Sequence, residues 1–176
     1  HEKRQKRPEV KKMNGTAVFN LKNAENGREQ AITDGKVRSA GVSCYYMKEI
    51  DDFLPKVMRR PVLVQNEIHP YYQDRKVTAH IQRLGIAVQA WYPLGGRGYT
   101  EALLGNKILG CIGKKYGKSS AQIVLRWELQ NGVAVIPGSG NPEHIKENIS
   151  LFDFELSGED MEIIAGLNRD EKHDWY

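Results

Sequence analysis

Cysteine is scarce in this chain: Cys44 and Cys111 are its only two among 176 residues, and they lie far apart. That excludes a disulfide framework and a cysteine-based metal site, and it leads to the expectation of a reducing, cytoplasmic setting. No apolar run approaches the roughly 18 residues that a membrane-spanning helix needs. The first residues have no apolar h-region, so a secretory signal peptide is not expected there. The chain starts at His1 rather than Met, as a trimmed, tagged or partial product would.

Excess charge is also small, and it is local. Residues 1–12 carry six bases (Lys3, Arg4, Lys6, Arg7, Lys11, Lys12) against two acids (Glu2, Glu9). Removing these from totals of 26 bases and 22 acids leaves 20 of each. The body is therefore neutral, and the pI of about 9.0 belongs to the lead. Such a lead could touch nucleic acid or an acidic membrane. No aromatic side chains interleave its bases, however, so it lacks a stacking platform for single strands and reads as a solvated terminus. The expectation is no nucleic acid and no membrane. A composition of 40% hydrophobic and 27% charged residues fits one ordinary folded domain.

Residues 14–30 are rich in Asn and Gly, with one short apolar run at Ala17-Val18-Phe19, and read as loop with at most one weak strand. Residues 1–30 together read as a basic, loop-like lead. Beyond them four β-branched runs appear: Val37–Val42, Val62–Ile68, Ile86–Trp91 and Val133–Ile136. Each is largely apolar, as strands buried on both faces are.

Helical patterns separate the runs. Met47, Ile50, Phe53 and Leu54 recur at spacings of three and four, as do Val77, His80, Ile81 and Leu84 before Gly85. A third helix starts at the Ser119-Ser120 caps and stops at Asn131-Gly132, with an extra helical stretch near 101–116. A fourth opens with Asn141 as N-cap and Pro142 at the first helical position. Strand and helix alternate four times, which predicts parallel strands with right-handed crossovers. The fold class is α/β, and the four βα units of residues 31–176 make half of a (β/α)8 TIM barrel, whose usual length is about 250 residues. A half barrel alone exposes two strand edges, so a partner half, a homodimer or an unstable fragment is expected.

Barrel sites form at the C-terminal ends of strands. Those ends read Gly41-Val42-Ser43-Cys44, Gln65-Asn66-Glu67-Ile68-His69-Pro70, Trp91-Tyr92-Pro93-Leu94-Gly95-Gly96 and Ile136-Pro137-Gly138-Ser139-Gly140-Asn141. In this order they resemble the aldo-keto reductase family. Asp34 to Arg38, Leu125-Arg126-Trp127, His144 to Asn148 and Phe152 to Leu156 extend the likeness over about residues 31–170.

The resemblance implies NAD(P)H-dependent reduction of an aldehyde or ketone, with the cofactor extended across the strand ends. Ser43 and Gln65 would hydrogen-bond the nicotinamide carboxamide, and Trp91 would stack on its ring. Tyr92, Leu94 and Gly96 would wrap the pyrophosphate. Gly138, Ser139, His144, Glu147 and Asn148 lie where the family grips the adenosine end.

Three departures bear on the cofactor. The family commonly has Asn where Cys44 stands, an amide lost here. Its usual Lys is Gly138, and its usual Arg is His144. Those two bases clamp the ribose 2′-phosphate, so NADH is expected to be tolerated or preferred.

The family's catalytic Asp, Tyr, Lys and His belong to the first half of the barrel. No catalytic residue is assigned in this chain, and a carbonyl substrate would be turned over only if that half were supplied. Two alternatives stand beside this reading: a non-catalytic nucleotide-binding remnant, and an interaction protein that dimerises through open barrel edges.

Several look-alikes carry nothing. Gly117-Lys118-Ser119 imitates a phosphate-binding loop, but residue 112 is Ile where that pattern needs Gly. His69 and His80 have no further ligand at zinc spacing, so no metal is expected. His69, Glu67 and Tyr71-Tyr72 read as structural, Met47 and Met58 as packing, and Cys44 as a small residue rather than a reactive thiol.

Overall fold

A computed structural model of the chain describes residues 11–13, 16–20 and 24–173. They fall into two compact units, one reaching to Asn66 and including Ala79–Ala87, the other holding Glu67–Thr78 and everything from Val88 onward.

In the first unit, β1 (Lys11–Met13) pairs antiparallel with β2 (Thr16–Asn20). Strand β2 then runs parallel to β3 (Ser39–Ser43), with Thr16 opposite Ser39 and Asn20 opposite Ser43. Strand β3 runs parallel to β4 (Leu63–Glu67), with Val42 opposite Val64 and Ser43 opposite Gln65. Helix α1 (Ala24–Thr33) joins β2 to β3, and α2 (Met47–Phe53) with a 3-10 turn at Leu54–Lys56 joins β3 to β4. Val42, Ile50, Val64 and Ile81 are fully buried here, and Phe53 packs edge-on against Tyr45 at 4.9 Å. These are the apolar positions that the period-2 and period-3.6 patterns single out.

Helix α3 (Arg75–Arg83) leads to β5 (Ala87–Trp91). In the second unit β5 runs parallel to β6 (Val133–Ala134), with Val88 opposite Val133. Helices α4 (Thr100–Leu104), α5 (Lys107–Tyr116) and α6 (Ser120–Gln130) lie between these strands in sequence, and α7 (Pro142–Ile149) and α8 (Gly158–Ala165) follow. Their apolar stripes meet in a core of Tyr71, Leu103, Leu109, Ile112, Ile123, Val124, Trp127, Leu156 and Ile164.

Helices α5, α6, α7 and α8 are each started by a side chain that satisfies an orphan amide. Asn106 accepts from Ile108, Ser119 from Gln122, Asn141 from Glu143, and Ser157 from Asp160.

The weak strand expected around Ala17-Val18-Phe19 is β2, whereas loop character over residues 24–30 is corrected by the structure. Thr16–Asn20 is a strand and Ala24–Thr33 a helix, and Lys11–Met13 of the basic lead is also a strand. The helix has no apolar stripe to announce it, and Gly27 lies inside it; the ladder to β3 gives that segment its order. The rest of the basic lead, residues 1–10, lies outside the described residues. Strand β6 stops two residues short of Ile136, because Pro137 donates no ladder hydrogen bond and restricts the residue before it. No helix among the described residues is long and apolar enough to cross a membrane.

Helix α5 holds two glycines that should respond oppositely to alanine. A Cβ at Gly110 meets nothing within 4 Å, whereas one at Gly113 would sit 2.5 Å from the Lys118 carbonyl oxygen. Gly110→Ala should stabilise by about 0.5–1 kcal/mol through helix propensity, and Gly113→Ala should destabilise by about 1–3 kcal/mol through the clash. Urea unfolding of the two variants checks both signs.

Candidate functional site

The strand ends of each unit carry the residues picked out in the sequence. In the first unit, Ser43 closes β3 and lies in register with Gln65 of β4, which is buried. The Cys44 amide donates to the Gln65 carbonyl at 3.0 Å, which fixes the turn out of β3. This turn places Cys44 at φ 61°, the left-handed region where a cysteine is strained and Asn is at home. The Asn-to-Cys departure thus loses an amide and also adds backbone strain. Next to it, the Asn66 side chain accepts from the Tyr45 amide and donates to the Tyr45 carbonyl, so the two strand ends are tied together.

In the second unit, Trp91 ends β5 and its ring lies 4.8 Å from that of Tyr92. Tyr92 has φ 55°, and Gly95, Gly96 and Gly98 all have positive φ. A Cβ on Gly96 would fall 2.4 Å from the Tyr92 ring, so the ring lies flush on bare backbone. Leu94 reaches the other way and packs against the apolar core.

The third group surrounds the start of α7. Ser139 Oγ accepts from the Asn141 amide at 3.0 Å and lies 3.5 Å from His144 Nδ1. Gly138 and Gly140 leave open backbone, with no atom within 4 Å of where a Cβ would stand. Glu147 accepts from the Ser119 hydroxyl at 3.2 Å, and Asn148 lies one residue further along the helix, half-buried. The bare glycines and the capped helix start suit a dinucleotide's phosphates and ribose, whose oxygens need N–H donors at close range. Gly138 carries no side-chain charge, and His144 Nδ1 lies beside the Ser139 hydroxyl.

Two of the buried carboxyl groups have different environments. Glu67 Oε1 lies 3.1 Å from His69 Nε2 and accepts the His173 amide at 2.6 Å. Burial holds the His69 ring below its ordinary pKa, with the Glu67 hydrogen bond opposing that. Glu128 is fully buried in α6, and neither of its carboxylate oxygens meets a hydrogen-bond donor among the described residues. Burial therefore pushes its carboxyl well above the ordinary 4.5, and with no path to solvent it is no general acid.

Tyr72 is no substitute acid either. Its burial, reinforced by the charges of Asp74, Glu67 and Asp170, pushes the phenol up to about 12. A carbonyl-protonating tyrosine needs the opposite shift.

The family model for the aldo/keto reductase family matches residues 26–169. The chain belongs to the aldo/keto reductase family. It is 40% identical over 144 residues to glyoxal reductase of Bacillus subtilis, a match covering 82% of this chain and 51% of that protein. To human aldo-keto reductase family 1 member A1 it is 34% identical over 175 residues, covering 94% and 54%. Among solved structures, the Bombyx mori aldo-keto reductase in complex with NADP superposes with a TM-score of 0.81 at 31% identity, over 89% of this chain and 58% of that one. The chain spans about half the length of the curated relatives it matches. With parallel strands joined by helices in each unit, its fold class is that of a partial (β/α)8 barrel.

Sequence reasoning did not single out His173. No motif marks it, and its partner Glu67 is 106 positions away.

Glu128 supplies a pH test. Unfolded, its carboxyl releases a proton near 4.5 that the native state retains, so its contribution is complete below that pH and is lost as pH rises. As pH rises above about 5, Glu128→Gln should gain on the wild type by up to about 1.4 kcal/mol per pH unit over the span where only the unfolded carboxyl is ionised. Thermal melts across that range check it; parallel curves for the two proteins would contradict it.

Proposed function

We propose that this chain is a cofactor-binding half of an aldo-keto reductase, holding NAD(P)H at its strand ends and reducing no carbonyl by itself. What carries the reading is the family match over residues 26–169, which takes in all four strand-end strings in order. When bound, the cofactor would supply the hydride for an aldehyde or ketone.

The chain's own residues would bind and orient it. Ser43 and Gln65 would offer hydrogen bonds to the carboxamide, and Trp91 a flat ring to the nicotinamide face. Tyr92, Leu94 and Gly96 would hold the loop along the pyrophosphate. Ser139, Glu147 and Asn148 would take the adenosine ribose, with the open backbone at Gly138 and the start of α7 beside it. Cys44 would be a weak point, its thiol standing where an amide is usual.

NADH should serve at least as well as NADPH, since Gly138 and His144 replace the bases that meet a 2′-phosphate. The chemistry would wait on the Asp, Tyr, Lys and His of the other barrel half, whether from a longer chain or from a partner. The other barrel half is also the expected partner for the exposed apolar side chains Ile145, Ile149 and Phe152, unless a second copy covers them.

Titration of the purified chain with NADH and NADPH, read by quenching of protein fluorescence to which Trp91 contributes, tests the reading. Saturable binding with NADH at least equal to NADPH, and no carbonyl-dependent oxidation of the reduced cofactor, is expected. A clear NADPH preference would overturn the cofactor assignment, and carbonyl turnover would overturn the division of labour. A cofactor-indifferent dimer would favour an interaction protein.

A further inference from the structure

The segment after α8 returns to the strand ends. The Arg169 and Glu171 amides both donate to the Tyr71 carbonyl, at 3.0 and 3.1 Å. The Arg169 guanidinium lies 3.8 Å above the centre of the Tyr71 ring. Two residues on, the His173 amide donates to Glu67 Oε1 at 2.6 Å. A charge-assisted bond of that kind, made with the carboxylate buried, is strong.

The His173 side chain is 2% exposed and completes a stack. Its ring lies 3.7 Å from that of Tyr99, within 7° of parallel, and 4.5 Å from that of His69, within 18°. Its Nδ1 donates to the Gly95 carbonyl at 2.7 Å. One imidazole therefore grips both ends of the Gly95–Tyr99 stretch, by a hydrogen bond at one end and by stacking at the other.

That stretch has little else to fix it. Gly95, Gly96 and Gly98 take positive φ, where glycine has the most conformational freedom to lose. Its other ties are turn bonds from the Gly95 amide to the Tyr92 carbonyl and from the Tyr99 amide to the Gly96 carbonyl, and bonds from the start of α4, where the Thr100 hydroxyl donates to the Gly96 carbonyl and the Leu103 amide to the Tyr99 carbonyl.

Glu67, His69 and His173 bring possible ligand atoms within 4.8 Å of one another. The two imidazoles are nearly parallel, however, so their in-plane lone pairs run side by side instead of meeting at one point. Their geometry is that of a stacked, hydrogen-bonded clasp rather than a metal cage.

We infer that His173 is a positioning residue for the Gly95–Tyr99 loop, and that the segment Arg169–His173 is the clasp that carries it there. Its consequence for cofactor affinity rests on the proposed function, in which this loop holds the pyrophosphate. The ordering cost of a glycine-rich loop is met by the clasp before the ligand arrives, so the ligand binds a prepared surface. Loss of His173 returns that cost to the binding step.

Two readouts on the whole chain separate the inference from the reading it builds on. Hydrogen exchange measures the loop without any ligand. His173→Ala should speed exchange in peptides covering residues 92–99 by about tenfold, the sum of one hydrogen bond and one ring contact, and leave α5 and α6 unchanged. His173→Phe keeps a ring for Tyr99 but loses the bond to Gly95, so its exchange should fall between the two. Unchanged loop exchange in both variants would overturn the clasp. Loosening of α5 and α6 along with the loop in both would overturn it too, because His173 would then be holding the whole unit. NADH titration is the second arm, with an affinity loss of about tenfold expected in His173→Ala. Wild-type chain that binds no NADH sinks the cofactor reading while the exchange result still decides the clasp.

Discussion

A parallel strand cannot turn straight back on its neighbour. It must first be carried across by a connection long enough to be a helix, and the rest of this chain follows from that constraint. Strands β2, β3 and β4 obey it through α1 and α2, and β5 reaches β6 only after three helices. Within each unit the crossovers leave strand C-terminal ends on one edge, where the chain enters loops. There the side chains are no longer needed for packing. Ser43, Cys44, Trp91 and Tyr92 are all half-exposed at such ends, while the positions behind them, Val42 and Ala90, are buried.

The loops divide the work by backbone chemistry. Gly96 lets the Tyr92 ring lie on bare backbone, Gly138 and Gly140 leave open space, and Asn141 caps the start of α7. The buried carboxylates serve the fold in contrasting ways. Burial raises the pKa of Asp160, but hydrogen bonds from Lys115, Tyr116 and Ser157 outweigh that and bring it to about 2. Glu128, without such donors, holds its proton instead.

What could be read in advance was whatever has a period or a cap. Val42, Val64 and Val88 fall on strands, Ile50 and Ile123 on helix stripes, and Ser119 and Asn141 cap the helices that their spacing indicated. The strand-end strings were legible because Gly, Pro and polar residues break the apolar run where each strand gives way to a loop. Two features escaped. Helix α1 has no apolar stripe, and its place depends on β2 pairing with β3. Helix α8 was foreshadowed only by Ser157 ahead of Asp160, a cap pattern short enough to pass unnoticed. His173 lies further from view, since its contacts to Glu67, Gly95 and Tyr99 are long-range and tertiary structure alone brings them together.

The most direct measurement of the central claim is a map of NADH-induced amide shifts on the isotopically labelled chain by NMR. The account expects the largest shifts at Ser43, Gln65, Gly95–Gly96 and Ser139–Asn141, with α5 and α8 undisturbed. Shifts confined to other surfaces, or none at saturating NADH, would contradict it.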